Sequence, residues 1–204
     1  IVLERSTFDK PLFPTHGSYL VASAMYAYGR DRRTSQQESM ISVGENIDMI
    51  RQWWGVKAHW EQYLGIDARG VFTVGYAVEG VYTTHPEFDS REATMLSSPQ
   101  YAPLIHSRMI YMPEFRADRY LGVGLMPTVR LYDNLYARLS LYAMLRDKFA
   151  GDVMHYMSDL SLIYHTPIGP VSLALTKYNL HNGNNLYLTF NFGYAIFGRK
   201  GLHY

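Results

Sequence analysis

In several stretches apolar residues occupy every second position, and the charged side chains fall only on the positions between them. Six of them share this placement: Lys57, Glu61, Glu79, Arg130, Arg138 and Asp159. Three are basic and three are acidic, so they are able to pair and neutralise one another on a common face. We therefore predict that these six side chains line a polar interior.

The sequence lacks the motifs of the common catalytic and metal centres. It contains no Gly-x-Ser-x-Gly nucleophile elbow, no Asp-Gly-Gly or Asp-Gly-Ala element, no phosphate-binding loop and no His-Glu-x-x-His. Its eight histidines are scattered, and His155 and His165, on one strand face, lie too far apart to share a metal. We predict no catalytic residue, no cofactor and no metal site in this chain.

A second charged group, Arg116, Asp118 and Arg119, lies near the end of a long segment rich in polar residues and proline. Two interpretations are open. The group folds into the interior and pairs with Glu79 or Asp159, or it forms a solvated cluster in a loop. We favour the solvated cluster, because connecting segments usually run over the surface.

The stretches that carry these charges have the two-residue period of β-strands. In residues 186–197 every second side chain is apolar or aromatic, and the others are mixed and partly polar. Earlier stretches repeat the pattern: 18–29, 50–62, 72–82, 121–131, 135–145, 156–165 and 171–176. Residues 1–9 fit the end of a further strand, and no convincing helix occurs. The chain is predicted to be all-β, antiparallel and a single domain over residues 1–204 without an internal boundary.

Strand length and connection length favour a membrane barrel over a soluble sheet. Residues 186–197 exceed the roughly 5–6 residues of a soluble strand and reach the roughly 9–11 of a transmembrane strand. Connections at 13–17, 65–70, 133–134 and 168–170 are short, those at 30–48, 83–118 and 146–155 are long, and 181–184 breaks the trend. Outer-membrane barrels segregate short turns from long loops. A soluble sheet also alternates, but its solvent face would be richer in Lys, Glu and Thr.

Aromatic residues gather near the strand ends, as in a membrane-interface girdle. They are Trp53, Trp54, Trp60, Tyr63, Tyr82, Tyr120, Tyr132, Tyr164 and Tyr178. Lys177, which falls on an apolar face, lies near a strand end, where its ammonium can reach the interface.

The net charge of +1 without a basic run gives no support for nucleic-acid binding, and the lack of cysteine excludes disulfides. A start at Ile1, without Met or a signal peptide, predicts a processed or excised piece.

Three short motifs, in order, resemble the bacterial surface antigen superfamily of outer-membrane barrels, which includes BamA and TamA. They are Phe13-Pro14-Thr15-His16-Gly17, Thr166-Pro167-Ile168-Gly169-Pro170-Val171 and Asn191-Phe192-Gly193. In that superfamily the corresponding motifs lie at strands nine, fifteen and sixteen. The resemblance thus implies the C-terminal half of a 16-stranded barrel, with about eight strands here. It also implies a closing-strand signal read by the barrel-assembly machinery, formed by Asn191, Gly193, Tyr194, Ile196 and Phe197.

The barrel of Bacteroidetes-type patatin-like phospholipases is similar in further segments. These are residues 115–124, Tyr101-Ala102-Pro103 and residues 75–81, whereas the Val-Arg-Gly-Phe/Tyr motif of the BamA lumen loop is absent. The resemblance implies a membrane segment that anchors or exports an attached patatin-like lipase outside this chain, with no enzyme activity of its own. Two alternatives remain, a BamA-like translocation or assembly pore and a small eight-stranded structural or adhesion barrel. Expected partners in the outer membrane of a diderm bacterium are lipids, lipopolysaccharide, the assembly machinery and the rest of the barrel or a second copy.

Overall fold

Nine antiparallel strands form one sheet in this computed structural model, which describes residues 1–10, 12–32, 48–86, 98–147, 154–180 and 185–193. The strands are β1 (Val2–Ser6), β2 (Gly17–Arg32), β3 (Asp48–Gly65), β4 (Phe72–Thr83), β5 (Arg119–Tyr132), β6 (Leu135–Arg146), β7 (Met154–Thr166), β8 (Gly169–Tyr178) and β9 (Leu186–Phe192). The prediction of an all-β antiparallel fold is confirmed. Among the described residues, helical structure is limited to the 3-10 turns His106–Arg108 and Pro113–Phe115, and no helix is long and apolar enough to cross a membrane.

The order of strands in the sheet is the order of strands in the chain. Each strand pairs with its predecessor and its successor, from Val2 opposite Ser23 to Lys177 opposite Leu186. Strands β1 and β9 are the two edges, and within the described residues neither edge has a second partner strand. The predicted strand over residues 186–197 ends at Phe192, Gly193 after it is not extended, and residues 194–197 lie outside the described residues.

The two faces of the sheet differ as the alternation predicts. The outer face, defined by exposed apolar side chains on every strand from β2 to β9, carries for example Leu125, Leu160 and Leu173, which are 48%, 55% and 45% exposed. The inner face carries buried side chains such as Glu79 and Thr176. The sheet curls around this inner face, as a contact between strands that are not neighbours shows: Arg138 of β6 approaches the Tyr63 hydroxyl of β3 to 3.5 Å. Exposed apolar surface of this extent is unusual for a protein surrounded by water.

The predicted aromatic girdle is only partly present on the outer face. Trp54, Trp60, Tyr82 and Tyr164 are exposed there, and Trp54 stacks on Tyr82 at 5.3 Å between ring centroids. Tyr132 is exposed at the end of β5, where the pairing register is irregular. In contrast, Tyr63, Tyr120 and Tyr178 are buried on the inner face, and Trp53 is half-buried. The reason is the strand period, which alone decides the face of each side chain. Lys177 is exposed on the outer face, one residue before the end of β8.

Two connecting segments cover parts of the inner face. The inner segment, residues 98–118 between β4 and β5, buries Tyr101, Met112 and Phe115 against the sheet. The inner turn, residues 7–10 and 12–16 between β1 and β2, brings Phe8 against Tyr63 with ring centroids 5.6 Å apart. The core of the molecule therefore lies between the sheet and these two segments, while the outer face stays uncovered.

Candidate functional site

Glu79 of β4 is the centre of a charged cluster on the inner face. Its carboxylate lies 3.1 Å from the Lys57 ammonium and 3.0 Å from Nδ1 of His59, and it accepts a 2.6 Å hydrogen bond from the Tyr120 hydroxyl. The pairing register explains the contacts, because His59 stands directly opposite Glu79. Glu79 is 8% exposed, and these three partners supply an ammonium, an imidazole nitrogen and a hydroxyl donor. A buried carboxylate with this many partners is retained in its charged form.

The cluster continues along β3 towards the end of the sheet that carries the short turns. Nε2 of His59 lies 3.5 Å from the Glu61 carboxylate, which also accepts a 2.7 Å hydrogen bond from the Tyr63 hydroxyl. Arg138 reaches the same hydroxyl from β6 and donates through Nε to Thr128 at 2.9 Å. Lys57, Glu61, Glu79 and Arg138 thus belong to one continuous polar network across four strands.

Asp159 of β7 has a separate environment that consists of hydroxyl groups. It accepts hydrogen bonds from Ser161 on its own strand and from Thr176 of β8, the latter at 2.6 Å. Asp159 is 6% exposed and Thr176 is fully buried. Arg130, the last of the six predicted charges, is half-buried near the end of β5, where it donates a 2.7 Å hydrogen bond to the Arg69 carbonyl in the β3–β4 turn. The structure therefore brings four of the six together and places Asp159 and Arg130 elsewhere.

Tyr101 anchors the inner segment in a depression on β5. Its ring lies over Gly122, and its hydroxyl donates a 3.3 Å hydrogen bond to the Val123 carbonyl. Burial raises the pKa of Tyr101 well above its usual value, so the group stays a neutral donor. Tyr142 of β6 lies over Gly124 in the same way. A glycine at each site is required because any Cβ would enter the ring above it.

Replacing Gly122 with alanine is therefore expected to displace the inner segment. The added Cβ would overlap the Tyr101 ring, and relief requires the ring to move off β5. Overpacking of this kind typically costs about 1–3 kcal/mol. Limited proteolysis within residues 98–118 measures the effect, and we expect faster cleavage of the variant. Gly80→Ala is the matched control, because no atom lies within 4 Å of the Cβ position there. Equal cleavage of both variants would contradict the anchoring role.

The three charged residues of the loop have partners within or beside the inner segment. Arg116 donates a 2.9 Å hydrogen bond to the Ser98 carbonyl, and the Ser98 hydroxyl donates to Asp118 at 2.8 Å. Arg119 lies 3.7 Å from Asp147, and both side chains are about half exposed. Arg116 and Asp118 are half-buried where the segment closes on itself, while Arg119 is exposed at the start of β5, over the ring of Tyr82.

His106 is an interior residue that the sequence did not single out. Its Nδ1 lies 2.8 Å from the Tyr178 hydroxyl of β8, and its ring lies 4.8 Å from the ring of Tyr187 on β9. Burial lowers the pKa of His106, and the nearby Asp159 opposes this effect only in part. His106 is thus neutral at pH 7 and joins the inner segment to the last two strands. A lone histidine in a polar loop carries no periodic signal that would reveal this contact.

The motif at residues 13–17 forms an ordered turn around Asp9. The Asp9 carboxylate accepts hydrogen bonds from the backbone N–H groups of Thr15 and His16 and from the Thr15 hydroxyl, at 2.9, 3.0 and 2.6 Å. Gly17 has a φ of 102° and lies against the Thr7 carbonyl, so a side chain is excluded there. The motif therefore encodes a specific turn conformation.

Acid is expected to loosen this turn. Partial burial would raise the pKa of Asp9, but the hydrogen bonds from Thr15 and His16 outweigh it, and the pKa is lowered overall. The stabilisation is therefore fully present above the unfolded pKa of about 3.9 and is lost as the pH falls through the lower folded value. Unfolding midpoints recorded from pH 6 to pH 2.5 measure the effect. Asp9→Asn should flatten this part of the profile, and an unchanged slope would contradict the assignment.

Of the predicted closing-strand signal, two residues lie within the described part of the chain. Asn191 is half-buried on the inner face of β9, with its Nδ2 3.5 Å from the Ser172 hydroxyl, and Gly193 follows the strand with a φ of 129°. Tyr194, Ile196 and Phe197 lie outside the described residues.

The described residues also contain no group of three or more His, Asp or Glu side chains arranged to hold a metal ion.

Comparison with known proteins gives a fold and no family. No known family profile matches the sequence, and no curated protein sequence matches it. Among solved structures, BamA from Haemophilus ducreyi lacking POTRA domains 1–3 is similar, with a TM-score of 0.54 at 12% sequence identity. The match covers 93% of this chain and 40% of that chain. The chain therefore shares the fold of a BamA barrel and spans less than half the length of that protein.

Proposed function

We propose that this chain is the membrane-spanning C-terminal half of a 16-stranded outer-membrane β-barrel related to the surface antigen superfamily. The observation that carries the proposal is that the two faces are the reverse of those in a water-soluble protein. Apolar side chains are exposed on the outer face from β2 to β9, and charged groups are buried on the inner face. In lipid, the outer face is solvated by acyl chains, and the polar network lies in a lumen.

Strand length supports the same proposal. The 12 residues of β4, at about 3.3 Å each and tilted by about 45°, rise about 28 Å along the membrane normal. The apolar band of outer-membrane barrels is about 25 Å tall. Unpaired edges at β1 and β9 within the described residues support a half-barrel completed by further strands over a closed eight-stranded barrel.

The proposed role of this half-barrel is to anchor, and to help export, an attached patatin-like lipase domain. Support comes from the segments that resemble the barrels of such enzymes, because they meet in space. Tyr101 of one segment packs on Gly122 of a second, and Tyr120 of the second binds Glu79 of the third. The chain itself supplies membrane attachment and a single barrel domain, and hydrolysis would belong to the attached domain.

A second function, a BamA-like translocation or assembly pore, is favoured by the fold shared with the BamA structure. The two functions differ in what accompanies the barrel. A Gly-x-Ser-x-Gly elbow elsewhere in the full-length protein, together with phospholipase activity that the serine variant lacks, supports the anchor. If the full-length protein instead carries POTRA domains and no such elbow, the pore function is supported and the anchor function is not.

Membrane insertion is tested by fractionating cells of a diderm bacterium that express the full-length protein. We expect the protein in outer membranes separated by density, resistant to extraction with carbonate and urea, and faster in electrophoresis when unheated. Recovery in the soluble fraction without detergent would disprove the barrel. Partners expected on this proposal are outer-membrane lipids, lipopolysaccharide, the assembly machinery and the remaining strands of the barrel or a second copy.

A further inference from the structure

Residues 12–16 of the inner turn do not project from the sheet as the other described short turns do. The side chain of Arg138, the fourth residue of β6 and on its inner face, donates a 2.7 Å hydrogen bond through Nη2 to the Pro14 carbonyl. The two residues are 124 positions apart in sequence, and the bond is buried. The turn therefore reaches from β2 across the inner face to β6.

Arg138 holds this turn with its charge as well as with the hydrogen bond. Its guanidinium carbon lies 5.5 Å from the centre of the Phe13 ring and 5.1 Å from that of the Tyr63 ring. Arg138 is 5% exposed, and its Nε is bound by Thr128. A desolvated cation between two aromatic rings is strongly attracted to both. We call these contacts of Arg138 with Phe13 and Pro14 the latch.

The latch keeps Phe13 in a conformation that phenylalanine rarely adopts. Its φ is 52°, in the left-handed region, and it is the one non-glycine residue with positive φ among the described residues. Such a conformation persists only where surrounding contacts impose it, and it is common in switch segments. Loss of the latch would therefore release the turn towards an ordinary conformation away from the inner face.

A polar cavity lies directly behind the latch. It has a volume of about 140 Å³ and is bounded by Phe13 and Pro14 on one side and by Leu104 and His106 of the inner segment on the other. Its wall includes the hydroxyls of Ser140 and Ser172, which are 4% and 1% exposed. The hydroxyl-lined wall suits water and small hydrophilic solutes, and residues 12–14 of the inner turn form part of the same wall.

We infer that residues 12–16 are a gate at the short-turn end of the lumen, held closed by the Arg138 latch. Opening breaks the Pro14–Arg138 hydrogen bond, withdraws the Phe13 ring and connects the cavity with the aqueous phase on that side. The inference rests on the proposed barrel, since a lumen and two aqueous sides exist only in a membrane. It adds a regulated closure that neither anchoring nor export by itself requires.

This chain lacks cysteine, so a single introduced thiol can report on the gate once any cysteine elsewhere in the full-length protein is replaced by serine. Ser172→Cys places one small thiol in the cavity wall of the full-length protein in membrane vesicles, and a charged methanethiosulfonate reagent reports its accessibility. Phe13→Gly removes the ring while tolerating positive φ, and we expect labelling to accelerate at least tenfold. Arg138→Gln removes the cation and should also accelerate labelling of the Ser172→Cys thiol. Asp67→Asn, in the β3–β4 turn at the same end, is the matched control and should leave the rate unchanged.

Each outcome separates the gate from the barrel itself. Unchanged labelling of Ser172→Cys in both the Phe13→Gly and the Arg138→Gln proteins overturns the gate, and so does an equal acceleration by Asp67→Asn. Leu160→Cys on the outer face serves as a second reporter. If the charged reagent labels it as fast as Asp133→Cys in an exposed turn, the membrane proposal fails, whatever happens at Ser172.

Discussion

Replacing Glu79 with alanine is expected to destabilise the folded protein by about 3–5 kcal/mol, because removing one partner of a buried ion pair leaves the other uncompensated. The Lys57 ammonium and His59 would lose their shared carboxylate, and the Tyr120 hydroxyl would lose its acceptor. Water has little access to this position, since Glu79 is 8% exposed. Urea unfolding of the protein in lipid or detergent, followed by tryptophan fluorescence, measures the loss.

Two further variants make this result specific. Glu4→Ala removes an exposed carboxylate from β1 and should change the unfolding free energy by less than about 0.5 kcal/mol. The double variant Glu79→Ala with Lys57→Met should recover part of the loss, because it removes the uncompensated ammonium as well. If Glu79→Ala is as mild as Glu4→Ala, the charged cluster does not stabilise the fold.

Arginine in place of Leu160 is expected to cost about 2–4 kcal/mol when the protein is in a bilayer. Leu160 lies at the middle of β7 on the outer face and is 55% exposed, so it would meet the centre of the acyl chains. In water the same substitution at an exposed position would change stability by less than about 0.5 kcal/mol. Unfolding in lipid vesicles, or the fraction that folds into them, distinguishes the two surroundings.

Position along the strand provides the control for this substitution. Tyr164 lies on the same face of β7, two residues before the strand ends at Thr166, and is 49% exposed. Tyr164→Arg should cost only about 0–1 kcal/mol, because its charge reaches the interface. Equal effects at both positions would mean that the outer face does not sit across a bilayer.

Alternation predicted which face each side chain takes, because a strand fixes that choice with a period of two. Lys57, Glu61 and Glu79 share the inner face for this reason alone. The contacts between them required the pairing register, in which His59 stands opposite Glu79, and register follows from sheet assembly. His59 is also at an odd-numbered position of the same strand, between Lys57 and Glu61. This position was the signal in the sequence that could have added His59 to the predicted inner-face residues.

The docking of the inner segment was beyond the reach of sequence periodicity. Tyr101 and Phe115 lie in an aperiodic stretch with many polar residues, and their sites are created by other elements. Gly122 offers a depression for Tyr101 only after β5 is placed in the sheet. The same is true of Arg138, whose contact with Pro14 spans most of the chain. Local patterns describe strands well, whereas contacts across the sheet depend on its curvature after assembly.

The sequential order of the strands also determines how this sheet can grow. Since every strand pairs with its neighbours in the chain, no pairing step must wait for a distant segment. The hairpins β5–β6 and β7–β8 have the shortest turns, at Asp133–Asn134 and Pro167–Ile168, and hairpins of this kind form within about 1–10 µs. Growth can then proceed by adding one strand at a time to an open edge. The polar cavity would be the last part of the molecule to form, because its wall includes Phe13 of the inner turn as well as Ser172 of β8 and Asn191 of β9.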